Sequence, residues 1–427
     1  MKLNKNISLL LAAAVSTSCL VGCGSSSSTD GSKSAKNTLT ILTHRTDMDE
    51  TFKKYAEEFE KDHEGIKINF ENLNDYQNNI STRMGTDDYG DVLMLPANIT
   101  KNQYPDFFEP LGSKDELSKE YSYLDNTTYE GQVYGIPTGA NAIGFVYNSK
   151  VFEQAGINSL PKSAEEYIND LKQIKEKCPD VVPYYTNYHD SWTLTNFSNA
   201  IEIPMSGDPD YMNKLVYNKN EFLPGSATYD SLKLLHDAVA NKLVENDPMT
   251  SDWEKSKQDM ADNKIGVMCL GSWAVGQIKD KSKTPEDIKF MAVPAVHNGK
   301  QTIQVSPDYT MGVNKNSKNK ELAKEFVKYF VKTYPNDSNM LSALKGTEYP
   351  DFLKVDSNTE LIEAAAGTDQ STKDMDAVQK ESLINLNDPN WIKPVVEIGL
   401  GNGNQTFEEY MKSLNSSWVK GIDSLGK

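Results

Sequence analysis

Over most of its length the chain alternates strand-like and helix-like segments, and this alternation constrains its fold more than any other feature. Residues 39–42 form a β-prone run, apolar residues recur at helical spacing over residues 52–59, and residues 66–70 alternate apolar and polar side chains. Residues 91–95 form a mostly apolar run that stops at Pro96, as expected of a buried parallel strand. The alternation predicts an α/β fold with a mostly parallel sheet.

The same alternation continues through the second half of the chain. Ser163 and Glu166 have the spacing of a capping box at the start of a helix, and an amphipathic helix is predicted over residues 318–332. Further strands are predicted at residues 143–147, 266–270 and 290–293. A chain of 427 residues exceeds the usual size of one domain, so we expect two.

The composition excludes several classes of protein. The chain has 44 Lys and Arg against 61 Asp and Glu, a formal net charge of −17, and only 38% of its residues are hydrophobic. We therefore expect neither a basic face for nucleic-acid phosphates nor the repeated apolar stretches of a multi-span membrane protein. The 21 Tyr, 14 Phe and 5 Trp exclude a disordered, charge-dominated chain.

The N-terminal segment has the three parts of an export signal. Lys2 and Lys5 supply a positive start, residues 7–15 form a short apolar run, and residues 20–23 read Leu-Val-Gly-Cys. The apolar run is too short to span a bilayer permanently. The ending resembles the lipobox of bacterial lipoproteins, in which the cysteine is acylated after cleavage.

That resemblance implies a signal peptide over residues 1–22, followed by a lipidated Cys23 and a flexible tether over residues 23–37. Two acyl chains anchor a protein stably where one is marginal. We therefore expect the folded part to be held by lipid at the extracellular face of the bacterial cell membrane. The alternative is a plain signal peptide with an incidental cysteine.

No motif of a known catalytic site is visible in the sequence. The five histidines lack zinc-binding spacing, and there is neither a glycine-rich phosphate loop nor a Gly-x-Ser-x-Gly elbow. The aspartate-rich segments lack the central glycine of a calcium loop. We therefore expect no enzymatic activity, no metal and no cofactor.

Several aromatic residues follow predicted strands, where open α/β sheets bind their ligands. Trp273 follows the strand over residues 266–270, Tyr188 and Trp192 lie in a loop of aromatic and polar residues, and Trp391 precedes the final helical region. Aromatic faces cover the apolar C–H patches of sugar rings, and polar side chains fix the hydroxyl groups. The pattern favours a sugar-binding site, although half-buried core aromatics would give the same sequence.

Five short segments occur in an order that carries a more specific signal. They are Tyr-Gly-Ile-Pro at residues 134–137 and the segments at residues 145–150, 266–273, 311–330 and 404–409. Together they resemble the extracellular solute-binding proteins of bacterial ABC importers, in the carbohydrate-binding class that includes maltose-binding protein. The resemblance covers the chain from about residue 38 to its end.

The resemblance implies a periplasmic-binding-protein-like fold, with two α/β lobes, a hinge and a ligand cleft. The first lobe would hold residues 38–142 and 308–345, and the second would hold residues 143–307 and 346–427. Hinge closure would bury an oligosaccharide in the cleft, and the closed form would dock on the membrane permease. We expect a monomer that delivers its sugar to the permease subunits of an ABC importer.

The resemblance also implies a set of ligand-binding side chains, since polar and aromatic residues stand at the matching positions. Maltose-binding relatives carry a glutamate at the position of Asn141, so maltodextrin specificity is in doubt. The predicted ligand-binding residues are Arg45, Asp47, Asn98, Asn141, Asn187, Tyr188, Trp192, Trp273, Asp308, Tyr309 and Trp391.

Other interpretations of the same sequence remain open. The acidic charge also suits a polyamine bound in the same fold, which would need several carboxylates converging in the cleft. A surface glycan hydrolase would need two carboxylates about 5–10 Å apart, and an adhesin would show an open aromatic surface. Cys178 and Cys269 could form a disulfide outside the cytoplasm, although two unclustered cysteines are more often free.

Overall fold

The computed structural model describes residues 37–426 except 75, 87, 97–98, 349 and 354–357. The predicted signal peptide, the proposed lipid attachment at Cys23 and nearly all of the tether therefore lie outside the described residues. No helix within the described ranges is long and apolar enough to cross a membrane. Cys178 and Cys269 are both free thiols, the first half-buried and the second buried.

The described residues form strands that alternate with helices, as the sequence pattern predicts. In chain order the strands are β1 (Thr38–Thr43), β2 (Lys67–Asn72), β3 (Val92–Met94), β4 (Phe108–Glu109), β5 (Gly112–Ser113), β6 (Thr128–Tyr129), β7 (Gln132–Val133), β8 (Ile136–Pro137), β9 (Ala140–Asn148), β10 (Val182–Tyr184), β11 (Ile265–Gly271), β12 (Ile288–Met291), β13 (Val296–His297), β14 (Lys300–Pro307), β15 (Thr310–Asn314) and β16 (Thr359–Glu363).

The α-helices lie between and after these strands. In chain order they are α1 (Asp49–Asp62), α2 (Tyr76–Met84), α3 (Tyr104–Phe107), α4 (Lys114–Leu117), α5 (Ser149–Ala155), α6 (Ala164–Lys177), α7 (Asn196–Asn199), α8 (Glu202–Ser206), α9 (Tyr211–Leu215), α10 (Ala227–Ala240), α11 (Trp253–Ala261), α12 (Trp273–Lys279), α13 (Lys320–Asp337), α14 (Asp369–Ser382), α15 (Lys393–Gly399) and α16 (Phe407–Asp423).

The first sheet has the strand order β2-β1-β3-β15-β4, with β8 also paired to β15. Strand β1 is parallel to β2 and β3, as the buried run before Pro96 predicts, whereas β15 is antiparallel to its neighbours. Helices α1 and α13 cover this sheet with aromatic side chains. Phe52 of α1 stacks on Phe70 of β2 at 4.6 Å between ring centroids, and Phe330 of α13 packs beside both.

The second sheet has the strand order β10-β11-β9-β14-β13, with β12 paired to β9 and β16 paired to β14. Strand β9 is antiparallel to β11, β12 and β14, so the expectation of a mostly parallel sheet is wrong here. The physical reason is that β9 begins at the end of the sheet where β11 and β14 terminate. Strand β9 therefore runs in the opposite direction to both. A small third sheet, β5-β7-β6, is also antiparallel.

The second sheet is covered on both faces by buried apolar side chains. On one face Phe145 of β9 packs with Tyr167 of α6 and with the fully buried Trp418 of α16 in one core. On the other face Met268 and Leu270 of β11 belong to a separate core that includes α12. The two faces explain why β11 is apolar at every position rather than alternating.

The two sheets are connected by neighbouring segments of chain. Residues 138–139 lead from the first sheet to β9, and residues 308–309 lead from β14 back to β15. These segments are hydrogen-bonded to each other, since Thr138 N donates to Tyr309 O at 2.8 Å and Asp308 N donates to Gly139 O at 3.0 Å. The lobe limits given above stay a prediction.

A buried aspartate stabilises the first sheet beside β3. Asp91 is 2% exposed; its Oδ2 accepts from the backbone N–H of Thr40 at 2.9 Å, and its Oδ1 accepts from Ser317 Oγ at 2.6 Å. It therefore connects β1 to the turn that precedes α13.

We expect Asp91→Ala to lower the free energy of unfolding by about 2–4 kcal/mol, because it leaves a buried donor without its acceptor. Urea denaturation followed by circular dichroism measures the change. Asp88→Ala, at an exposed position of the same loop, is the matched control and should change the free energy by about 0.5 kcal/mol or less. Equal effects of the two substitutions would contradict this role for Asp91.

Candidate functional site

The ends of three adjacent strands of the second sheet meet beside the segments that join the sheets. Strand β9 begins here and β14 ends here. Strand β11 also ends here, as the pairing of its last residue, Gly271, with Ile143 of β9 shows. Ser272 fixes this end of β11 to β9, since its backbone N–H donates to Ala142 O at 2.8 Å and its Oγ accepts from Ala142 N at 3.0 Å. Side chains that follow β11 are therefore held at a defined position near the crossings.

Three of the five tryptophans lie together at this end of the sheet. Between ring centroids, the indole of Trp192 is 5.6 Å from that of Trp273 and 5.5 Å from that of Trp253. The centroids of Trp253 and Trp273 are 5.6 Å apart. Trp192 is 39% exposed, and the other two are half-buried. We refer to these three residues as the tryptophan cluster.

Hydrogen bonds and close packing hold the tryptophan cluster in place. Asp190 Oδ2 accepts from the backbone N–H of Trp253 at 2.8 Å, which joins the loop of Trp192 to the start of α11. Lys257 Nζ lies 4.8 Å from the centroid of the Trp253 ring, in a cation–π contact. At Gly271 a Cβ atom would lie 2.3 Å from Nε1 of Trp273, so only glycine leaves room for the indole.

A second group of side chains lies at the edge of the first sheet. The imidazole of His44, directly after β1, stacks on Tyr309 with 4.1 Å between ring centroids. The rings of Tyr76 and Tyr309 are nearly perpendicular, with 6.1 Å between their centroids. Gln77 Nε2 donates to the hydroxyl of Tyr309 at 3.2 Å. We refer to His44 and Tyr309 as the histidine–tyrosine stack.

Arg45 and Asp47 form an ion pair beside this stack. The Arg45 guanidinium donates to both carboxylate oxygens of Asp47, at 2.7 and 2.8 Å, and its Nη1 donates to the hydroxyl of Tyr334 at 2.7 Å. The hydrogen bonds from Arg45 lower the pKa of Asp47. Burial raises the pKa of Asp308, against the opposing effects of the Tyr309 backbone and the Arg45 charge.

His44 is neutral at physiological pH. Burial and the neighbouring Arg45 charge lower its pKa from 6.5 to about 4, although Asp47 acts in the opposite direction. Its Nδ1 lies 3.0 Å from Met94 Sδ. A neutral imidazole can both donate and accept a hydrogen bond, which suits a polar, uncharged ligand.

Asn141 lies on β9, opposite Ser306 of β14. Its Oδ1 is buried and has no hydrogen-bond partner in the described part of the chain. The structure thus places Asn141 with Trp192 and Trp273 at one end of the second sheet. It places Arg45, Asp47, Asp308 and Tyr309 together at the first.

Three other predicted site residues are buried against the second sheet. Trp391 is 8% exposed, packs edge-on against Phe222 and donates its indole N–H to the Asn385 carbonyl at 2.7 Å. Tyr188 is buried and donates its hydroxyl to Glu397 Oε1 at 2.6 Å.

Asn187 is also buried, and its Oδ1 accepts from Ser256 Oγ at 3.3 Å. This placement argues against a ligand contact for Trp391, Tyr188 and Asn187, because their polar atoms are already paired inside the core. Asn98 lies outside the described residues.

Trp253 and His44 belong to the two groups but were not predicted from the sequence. His44 directly follows the first strand, so the signal that indicated Arg45 could also have indicated it. Trp253 opens α11 and reaches the site only through tertiary packing, and nothing in the local sequence marks it. Within the described residues, no group of three or more His, Cys, Asp or Glu side chains could hold a metal ion.

The known proteins to which this chain is similar agree on one family. The family model described as bacterial extracellular solute-binding protein matches residues 43–333. The solved structure of BlMnBP1, a binding protein of an ABC transporter from Bifidobacterium animalis subsp. lactis in complex with mannobiose, is 33% identical. It superposes with a TM-score of 0.81 over 91% of this chain and 95% of that chain.

Two further relatives extend the comparison. BlMnBP2 from the same organism, a manno-oligosaccharide specific solute-binding protein in complex with mannotriose, is 31% identical with a TM-score of 0.80, over 91% of this chain and 95% of that chain. The melibiose/raffinose/stachyose-binding protein MelE of Bacillus subtilis is 27% identical over 322 residues, which are 73% of this chain and 74% of that protein.

The lowered pKa of His44 predicts a pH dependence of stability. Between about pH 6.5 and pH 4 the unfolded chain binds a proton at this residue and the folded chain does not, so the free energy of unfolding decreases as the pH falls. His44→Phe keeps a ring against Tyr309 but cannot titrate. From pH 7 to pH 4 we expect the wild type to lose about 1–3 kcal/mol more than this variant, measured by urea denaturation at both pH values. Parallel losses would contradict the buried, neutral imidazole.

Proposed function

The chain belongs to the bacterial extracellular solute-binding protein family, and from this premise we propose that it binds an oligosaccharide and delivers it to the permease of an ABC importer. The observation that carries the proposal is the tryptophan cluster at the edge of the second sheet. Its indoles provide a partly exposed aromatic surface of the kind that covers the C–H patches of sugar rings. Polar groups that can orient hydroxyls, such as Asn141, lie beside it.

Manno-oligosaccharides are the sugars named in the descriptions of two of the relatives. The two structures at 33% and 31% identity are described with mannobiose and mannotriose, and they align along nearly the whole chain. MelE, whose name gives melibiose, raffinose and stachyose, is less similar and aligns over less of the chain. Mannotriose is therefore the first ligand to test, and raffinose is the second.

The two groups of side chains belong to different sheets, so a ligand that touches both would favour the conformation that brings them together. Tyr309 lies in the segment that joins the sheets, where its carbonyl accepts from Thr138 N. His44 of the histidine–tyrosine stack directly follows β1 of the first sheet, whereas the tryptophan cluster lies at the second sheet. A change in the angle between the sheets would therefore move the stack relative to the cluster. We propose that this closure couples sugar binding to permease docking.

The charges at the site support a neutral ligand rather than a polyamine. A polyamine site needs several free carboxylates, whereas Asp47 is paired with Arg45 through two hydrogen bonds. The proposal is binding without turnover, by a monomer at the extracellular face of the membrane. Attachment through a lipidated Cys23 is part of the same proposal.

Isothermal titration calorimetry with mannotriose tests the role of the tryptophan cluster. We expect Trp273→Ala to weaken binding at least 10-fold, since it removes one of the three indoles of the cluster while Trp192 and Trp253 remain. Trp391→Phe is the matched control: it changes a tryptophan that is buried in a core of the second sheet. Its affinity for mannotriose should stay within about 2-fold of the wild type, and only its melting temperature should fall.

Several results would overturn the proposal. If neither mannotriose nor raffinose bound while spermidine did, a polyamine ligand would replace the sugar. Release of shorter sugars during prolonged incubation with mannotriose, followed by chromatography, would instead indicate a hydrolase. Equal affinity of Trp273→Ala and the wild type for mannotriose would move the site away from the tryptophan cluster.

A further inference from the structure

Two buried amide oxygens near the tryptophan cluster lack hydrogen-bond partners within the described residues. They are Oδ1 of Asn141 on β9 and Oε1 of Gln304 on β14. Gln304 is only 5% exposed. A buried polar atom without a partner is costly to the folded protein, so a pair of them in adjacent strands calls for an explanation.

The strand register places both amides on the same face of the sheet. Ile143 pairs with Gln304 and Asn141 pairs with Ser306 in the antiparallel β9–β14 ladder. Directly paired residues point to the same side of the sheet. Gln304 and Asn141 are therefore diagonal neighbours on one face, close enough for one ligand to contact both. The Nε2 of Gln304 donates to Ser306 Oγ at 3.1 Å, whereas its Oε1 accepts no hydrogen bond within the described residues.

The same face continues to Trp273 across the neighbouring strand. Ile143 also pairs with Gly271 of β11. A Cβ atom built at Gly271 would meet both Nε1 of Trp273 at 2.3 Å and Cδ1 of Ile143 at 3.2 Å, so these two side chains lie together over the glycine. Trp273, Ile143 and Gln304 thus form a continuous row across β11, β9 and β14.

We propose that Gln304 and Asn141 form a hydroxyl-recognition subsite beside Trp273. In this subsite one sugar ring rests near the indole and donates hydrogen bonds from two of its hydroxyls to the two amide oxygens. The inference rests on the proposed function and adds a specificity-determining residue, Gln304. An unpaired amide oxygen can accept a hydrogen bond from a hydroxyl of a neutral polyol, whereas an ionised carboxylate or phosphate oxygen has no proton to donate to it.

The subsite predicts opposite effects on affinity and on stability. Gln304→Met keeps the length of the side chain but removes the unpaired oxygen, together with the hydrogen bond from Nε2 to Ser306 Oγ. We expect its Kd for mannotriose to rise about 10- to 100-fold, because a sugar hydroxyl loses its acceptor inside a buried site. The melting temperature without ligand should be equal to or above that of the wild type, because removing the unpaired buried oxygen offsets the loss of the hydrogen bond to the half-buried Ser306. A residue with only a structural role would instead lower it.

Tyr167→Phe is the matched control. Tyr167 is buried in the core beside Phe145, and its hydroxyl is another buried oxygen without a partner in the described part of the chain. Removing it should leave the affinity for mannotriose within 2-fold of the wild type. A Gln304→Met affinity that is likewise within 2-fold, in a wild type that does bind mannotriose, would overturn the subsite and leave the proposed function standing.

Monodeoxy derivatives of mannobiose test the subsite without any substitution in the protein. The wild type should lose at least 10-fold in affinity for one or two of these derivatives, and Gln304→Met should show no such loss at the hydroxyl that Gln304 accepts. Uniform affinities across the series would contradict the subsite even if Gln304→Met failed to fold. If the wild type bound no sugar at all, the proposed function and the subsite would both fall.

Discussion

The antiparallel pairing of β9 with β11 on one side and β14 on the other is the interaction on which the candidate site depends. It brings residues from three distant parts of the chain to one end of one sheet: Trp273 follows β11, Asn141 begins β9, and Gln304 lies near the end of β14. A shift of one residue in either register would turn Asn141 or Gln304 to the opposite face, which is filled by apolar side chains. The core of the second sheet and the geometry of the site are therefore set by the same ladder.

The site combines this rigid edge with groups that are costly to the unliganded protein. The tryptophan cluster leaves aromatic surface exposed, and the amides of Asn141 and Gln304 leave oxygens without partners. Proteins retain such features where a ligand repays the cost. On the other sheet, the buried and neutral His44 offers an uncharged surface beside Tyr309. Both sheets thus present groups suited to a neutral, hydroxyl-rich ligand.

The sequence predicted the elements of the fold better than the direction of its strands. The amphipathic helix over residues 318–332 is α13, and the buried run before Pro96 is β3, since both follow from local periodicity. Strand direction in the second sheet depends on where the chain crosses between the sheets, which no local pattern records. Trp273 was found because a residue that follows a strand must lie at a sheet edge. Trp391 and Tyr188 have the same local appearance, but contacts with distant residues bury them, Phe222 against Trp391 and Glu397 of α15 against Tyr188.

The crystal structure of the protein with mannotriose is the most direct test of the central claim, that a sugar lies between the tryptophan cluster and the histidine–tyrosine stack. We expect one sugar ring against Trp273, its hydroxyls within hydrogen-bond distance of Asn141 and Gln304, and a contact to Tyr309 from the other sheet. Mannotriose bound elsewhere, for example in the cavity of about 540 Å³ lined by Leu160 and Lys289, would contradict it.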